Sequence, residues 1–332
     1  MILLLGATGY IGQAFARALR SRGERFIPLS RRAFDYSKFD LLFDYVRNIR
    51  PRFVINAAGS SNYFNVDSRE RERLEAFETN TVIPQTIARV CLMTNTPWGH
   101  VSSGCIYAGA KVRGNGSVRI EKDLNRPEVR RLFDEHPEQF SGFTEYDEPN
   151  FSFRCPPCNF WEGTKALAEE ALQGAEQTYI WRPRIPFSER DEPRNLLTKL
   201  QLYPRIYDHV TSVSHLEDFV RACLELVERQ APFGIYNVTN PGAVTTRQIV
   251  GMIQRILKPN RKFDYWAGDE EFYSEGAKVP RSSCILDVTK LLGTGVKMRP
   301  AERALQEALQ RWRPAEARRS GAAREFNPLV VK

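Results

Sequence analysis

Met1-Ile2-Leu3-Leu4-Leu5-Gly6-Ala7-Thr8-Gly9-Tyr10-Ile11-Gly12 opens the chain. The apolar start has the length of a buried strand, and three glycines follow at once. Residues 13–22 then carry Ala14, Phe15, Ala18 and Leu19 at helical spacing and stop at Gly23. Strand, glycine turn and helix in that order suit one task. The glycines permit a tight turn and let backbone approach a pyrophosphate closely. The helix N-terminus adds oriented N–H groups and a positive dipole. The stretch predicts the first βα unit of a dinucleotide-binding sheet, with Gly6, Thr8, Gly9, Tyr10, Ile11 and Gly12 at the cofactor. A tight turn without a ligand is the weaker reading.

The alternation continues. Residues 25–29 read as a second strand, 41–49 as a helix ending before Pro51, and 53–57 as a buried strand. A long helix is expected over 69–93, a strand over 99–107, a helix over 161–173 and a strand over 179–181. This pattern predicts an α/β fold, a Rossmann-like doubly wound parallel sheet with a smaller C-terminal substrate-binding lobe. Further helices are expected near 194–202, 215–229, 246–257 and 301–312, with a strand at 234–238 among them. Residues 1–182 are read as the core, 183–312 as mainly the lobe and 313–332 as a tail. Residues 109–153 run long, charged and proline-interrupted, with a helical patch near 128–133. They read as an insertion over the site.

The 332 residues are 42% hydrophobic and 27% charged, which fits a soluble globular protein. Apolar runs are too short to span a bilayer, and a strand starting at Met1 leaves no room for a leader. A cytoplasmic protein is expected. The net charge of +8 suits a solvated basic surface or an anionic diphosphate substrate. No nucleic-acid motif accompanies it, so no nucleic-acid partner is expected. Six cysteines form no dense framework, as in a reducing compartment. Cys155-Pro156-Pro157-Cys158 is a single CxxC without a second pair, and no metal is expected.

After the second strand stands Ser30-Arg31-Arg32, where an NAD site usually places an acid. Paired guanidinium groups suit a 2′-phosphate, which favours NADP(H) over NAD(H). Asn56-Ala57-Ala58-Gly59 ends the next strand where backbone would pass the cofactor. Val101-Ser102-Ser103-Gly104-Cys105-Ile106-Tyr107 closes another, placing its last side chains at the ligand-binding edge of the sheet. Trp161 and Lys165, spaced i, i+4, share a helix face.

Together these motifs resemble the extended short-chain dehydrogenase/reductase family. Glu78-Thr79-Asn80-Thr81-Val82 also fits, and the resemblance puts Asn80 on the helix backing the cofactor. It implies that Ser103 bonds the substrate oxygen, Lys165 holds the nicotinamide ribose and Pro183 lies against the nicotinamide. It also implies a proton-donating tyrosine at position 161, where this chain has Trp161. A neighbouring lysine would lower a tyrosine pKa of about 10 toward neutrality. An indole N–H donates a hydrogen bond but does not titrate in the usable range. Tyr107, Tyr146 and Glu162 are the substitute acids the sequence offers.

The segments at 182–186, 192–199, 236–242 and 279–283 are similar to nucleotide-rhamnose synthase/epimerase-reductases and the related dTDP-4-dehydrorhamnose reductases. That similarity implies C3/C5 epimerisation of an NDP-4-keto-6-deoxyhexose, then NADPH-dependent reduction at C4. Cys105 and Lys199 match the epimerising pair, and the charge of Lys165 is expected to favour a Cys105 thiolate. Arg184, Arg194, Asn195 and Arg281 fall to the substrate. A nucleotide-diphosphate sugar is thus the expected partner, with a homodimer left open. Two rivals stand beside this reading. One is a non-catalytic NADP-binding subunit. The other is a dehydratase or C4-epimerase of the same superfamily, disfavoured because Gly104-Cys105 replaces the acidic pair after Ser103.

Overall fold

The computed structural model describes residues 1–59, 72–114 and 116–315. Six strands form the main sheet: β1 (Ile2–Leu5), β2 (Phe26–Leu29), β3 (Phe53–Asn56), β4 (Trp98–Val101), β5 (Thr178–Arg182) and β6 (Gly234–Asn237). All pairings are parallel, in the order β2-β1-β3-β4-β5-β6. The order reverses between β1 and β3, and ligands bind in such sheets beyond the strand ends at that point.

Both faces are covered, which explains the unbroken apolar runs. Ile2 and Leu4 join Phe15, Phe53, Trp181 and Phe219 on one face. Leu3 and Leu5 join Val54, Ile87 and Trp98 on the other. Helices α1 (Tyr10–Ser21), α2 (Phe39–Ile49), α3 (Ile83–Met93) and α4 (Phe160–Ala171) cross between strands. Gly99 is required by packing, since a Cβ there would lie 2.0 Å from the Trp181 ring.

Three expectations change. The strand read at 99–107 ends at Val101, and Ser103 caps a tight turn over Gly104–Ile106. Of the helix read at 69–93, residues 69–71 lie outside the described residues. The rest runs as Arg73–Phe77, a wider π turn at Glu78–Val82, and α3. The third change is the insertion. Strands Ala110–Gly114 and Ser117–Glu121 pair antiparallel, and helix Pro127–Glu135 follows. Ala110, Leu124, Val129 and Phe133 cluster with Val210 and Ile285. Its apolar face therefore docks on the second half of the chain, and none of its described residues lines the main cleft. It frames a second cleft of about 530 Å³ with Tyr207, Arg247 and Trp266.

Past β5, helices α5 (Leu196–Leu202), α7 (Thr246–Ile256) and α8 (Ala301–Gln310) share their own core through Leu197, Leu200, Ile249, Ile253 and Leu305. Helix α6 (Leu216–Glu228) and β6 return to the main sheet. Among the described residues no helix is long and apolar enough to cross a membrane.

Candidate active site

One cleft of about 910 Å³ runs along the carboxyl ends of the strands. That lies near the top of the roughly 300–1,000 Å³ typical of small-molecule sites. Thr8, Gly9, Tyr10 and Ile11 line one end with Ala57, Ala58 and Gly59. Gly6 also lines it, at φ +73°. A Cβ on Gly6 would lie 2.5 Å from the Ala58 nitrogen, and one on Gly12 would lie 2.0 Å from the Gly6 oxygen. Gly12 is therefore the contact that seats α1 on its turn, behind the cleft wall. Asn56 is fully buried, and its Oδ1 accepts from the Ala58 amide at 3.0 Å, which fixes the second lip.

Ser30, Arg31 and Arg32 line the same end. Arg31 donates to Thr79 Oγ1 at 3.2 Å and lies 3.6 Å from Glu75. Tyr36 and Glu75 are wall residues that the sequence reading missed. Tyr36 is buried and hydrogen-bonded to the backbone of Gly6 and Arg31, and burial pushes its hydroxyl pKa up. Its one sequence signal is an aromatic shortly after the arginine pair.

At the other end the cleft is lined by Ser103, Cys105, Trp161, Glu162, Lys165, Pro183, Arg184, Arg194 and Lys199. Ser103 Oγ accepts from the Cys105 amide at 3.2 Å, and its hydroxyl is also hydrogen-bonded to the Cys105 side chain. Lys165 Nζ lies 3.5 Å from the Val101 oxygen and 5.8 Å from the Trp161 ring centre. The i, i+4 face anticipated from the sequence is therefore formed. Ile185 also lines the cleft, at φ +35°, a backbone that β-branched residues rarely adopt.

Besides Gly12, three assigned residues stand off the wall. Asn80 sits in the π turn and donates to Thr164 Oγ1 at 3.1 Å, bracing the helix that carries Lys165. Asn195 caps α5. Its Oδ1 accepts from the Leu197 amide at 3.0 Å, and its Nδ2 donates to the Ser188 oxygen at 2.8 Å and the Arg190 oxygen at 2.6 Å. Its amide holds the loop and does not face the cleft. Arg281 is also outside the wall, and its backbone amide donates to the Tyr273 hydroxyl at 3.3 Å.

Cys105 lines the cleft but is 3% exposed. Burial pushes its thiol pKa up, and the Glu162 carboxylate pushes it the same way. Ser103, Arg184 and Lys165 pull it down without prevailing. The expected preference for a thiolate is therefore reversed, because loss of water outweighs one nearby lysine. Iodoacetamide near neutral pH should modify the half-buried Cys155 and Cys158 before Cys105. Peptide mass mapping checks the order, and early labelling of Cys105 would contradict it.

Beneath these groups lies a buried network the sequence reading also missed. Arg182 meets Glu169 at 2.5 Å, with side-chain exposures of 2% and 5%. Ser102 donates to the same Glu169, and Arg182 donates to the Tyr107 hydroxyl at 3.1 Å. Burial works against the Arg182 charge, but the Glu169 carboxylate more than offsets it and raises the pKa. The ends of β4, α4 and β5 are thereby tied together under the cleft.

A family model described as the RmlD substrate binding domain matches residues 1–313. The chain belongs to this family. It is 30% identical over 293 residues to a bifunctional dTDP-4-dehydrorhamnose 3,5-epimerase/dTDP-4-dehydrorhamnose reductase of Arabidopsis thaliana, covering 87% of this chain and 85% of that protein. Among solved structures, the UDP-rhamnose synthase L780 of Acanthamoeba polyphaga mimivirus superposes with a TM-score of 0.78 at 22% identity. That match covers 93% of this chain and 98% of the other. A dTDP-4-dehydrorhamnose reductase from Bacillus anthracis in complex with NADP gives 0.69 at 19% identity, covering 94% and 97%. These two share the fold. The RmlD-family sheet, turn and cleft are those of an extended short-chain dehydrogenase/reductase.

Proposed function

We propose that this RmlD-family chain binds NADP(H), epimerises an NDP-4-keto-6-deoxyhexose at C3 and C5, and reduces it at C4. One observation carries the reading. Ser103, Cys105, Lys165 and Lys199 line one end of the cleft whose other end holds the glycine turn and Arg31–Arg32.

The wall fits a dinucleotide phosphate chemically. The Gly6–Ile11 turn offers backbone N–H groups at the start of α1. Arg31 and Arg32 offer charge for a 2′-phosphate. Lys165, on the cleft wall, is assigned to the ribose hydroxyls, and Pro183, also on the wall, to the nicotinamide face. When bound, the reduced cofactor supplies hydride for the C4 carbonyl. Ser103 donates to the C4 oxygen and orients the ketone. That ketone acidifies the C3 and C5 hydrogens. Cys105 and Lys199 are the two groups that remove and return these protons. Arg184 and Arg194 face the sugar nucleotide.

Replacing Arg31 and Arg32 together by serine should weaken NADPH binding by about 10–100-fold, from charge-assisted hydrogen bonds of about 1.5–3 kcal/mol. NADH binding should change far less. Calorimetric titration of both cofactors checks this, and equal loss for the two would count against NADP(H) preference. Turnover is tested by NADPH oxidation with dTDP- and UDP-4-keto-6-deoxyglucose. Oxidation that yields a 4-hydroxy sugar supports the proposal. Tight NADPH binding with no conversion of either sugar supports the non-catalytic subunit, the reading that Trp161 favours.

A further inference from the structure

A C4 reduction needs a proton donor, and Trp161 has no proton to give in the working range. The three substitute acids occupy very different places. Tyr107 is fully buried behind the cleft, with its hydroxyl donating to the Asp147 oxygen at 2.6 Å. Tyr146 is 84% exposed and outside the cleft, beneath the Lys290 ammonium. Glu162 alone of the three lines the cleft, at 5% exposure.

Its position is fixed from behind. The Glu162 amide donates to Asn159 Oδ1 at 3.0 Å at the start of α4. Asn159 Nδ2 donates in turn to the Glu162 carboxyl and, at 3.0 Å, to the Pro280 oxygen. Cys105 and Cys284 both lie within the field of this carboxyl, and Arg184 and Lys165 act on Cys105 beside it. A carboxyl that an asparagine holds, and that lines the same cleft as Ser103, Trp161 and Lys165, is a candidate general acid.

We propose that Glu162 donates the proton to the sugar C4 oxygen, in place of the tyrosine that the family resemblance puts at position 161. C4 accepts a hydride, for which a dihydronicotinamide is the reductant. The carbonyl π pair moves to oxygen, and oxygen takes the carboxyl proton of Glu162. The products are the C4 alcohol, the oxidised nicotinamide and a Glu162 carboxylate, which regains a proton from water. Ser103 steadies the oxygen throughout. The inference rests on the reductase half of the proposed function.

The test is Glu162→Gln in the full-length protein with NADPH and UDP- or dTDP-4-keto-6-deoxyglucose. NADPH oxidation should fall at least about 10²-fold, the usual contribution of a general acid. Titration should show that NADPH still binds. Adding Trp161→Tyr to E162Q should restore reduction by placing a phenol beside Lys165. A second readout needs no turnover. On binding the 4-hydroxy product, the wild-type infrared difference spectrum should contain a protonated-carboxyl band that E162Q lacks. Should E162Q lose NADPH binding through misfolding, Glu162→Asp takes its place. Its reduction rate should fall with rising pH along a limb displaced from that of the wild type, since the acid must hold its proton. An E162Q rate within about threefold of wild type, or an E162D limb identical to wild type, would overturn the assignment. A wild-type protein that oxidises no NADPH with either sugar would overturn the reductase reading itself.

Discussion

Cys105→Ala should slow exchange of the sugar C3 and C5 hydrogens with solvent by about 10²–10⁴-fold, the typical worth of a proton-transfer group. NADPH binding should persist, because Cys105 lines the end of the cleft away from the glycine turn and Arg31. Lys199→Gln should give a loss of similar size. The double variant should be hardly slower than either single one, since two halves of one proton relay do not add. Proton NMR of the 4-keto sugar in D₂O without NADPH reads all three. The rate should also climb with pH if a Cys105 thiolate is the active form, because burial and Glu162 raise that thiol. Exchange in Cys105→Ala at the wild-type rate would remove Cys105 from the chemistry.

Glu169→Ala should destabilise the protein by about 3–5 kcal/mol, the cost of leaving a buried partner charge uncompensated. Arg182 would then sit 2% exposed with its carboxylate gone, and Ser102 would lose its acceptor. Urea unfolding followed by far-UV circular dichroism measures the loss. Replacing both members, as in Glu169→Met with Arg182→Met, should cost less than Glu169→Ala alone, because no orphaned charge remains. A single variant within about 1 kcal/mol of wild type would mean that water reaches Arg182. The network joins β4, α4 and β5, so loss of Glu169 should also blunt turnover through Ser103 and Lys165.

What the sequence made legible follows from local geometry. The turn after β1 is readable because strand length, glycine spacing and helix periodicity lie side by side in twelve residues. Trp161 and Lys165 share a face because helix pitch alone decides it. What was hidden depends on partners far along the chain. The insertion carries an apolar face that the sequence shows, but its docking on Val210 and Ile285 is set by tertiary packing. Asn195 looks like a ligand group by resemblance. The loop carbonyls of Ser188 and Arg190 claim it instead. Cys105 looks activated beside Lys165 until burial and Glu162 are taken into account. Glu169 is one helical turn beyond Lys165, yet only the fold reveals Arg182 opposite it. Trp161 is visible in the sequence as a missing acid, and the fold shows which carboxyl shares its cleft.

The most direct test of the account is deuterium incorporation. Wild-type protein is mixed in D₂O with UDP- or dTDP-4-keto-6-deoxyglucose, with and without NADPH, and the sugar is followed by NMR. The account predicts deuterium at C3 and C5 in both samples, and a deuterated 4-hydroxy sugar only where NADPH is consumed. A protein that binds NADPH but leaves both sugars undeuterated and unreduced would contradict it.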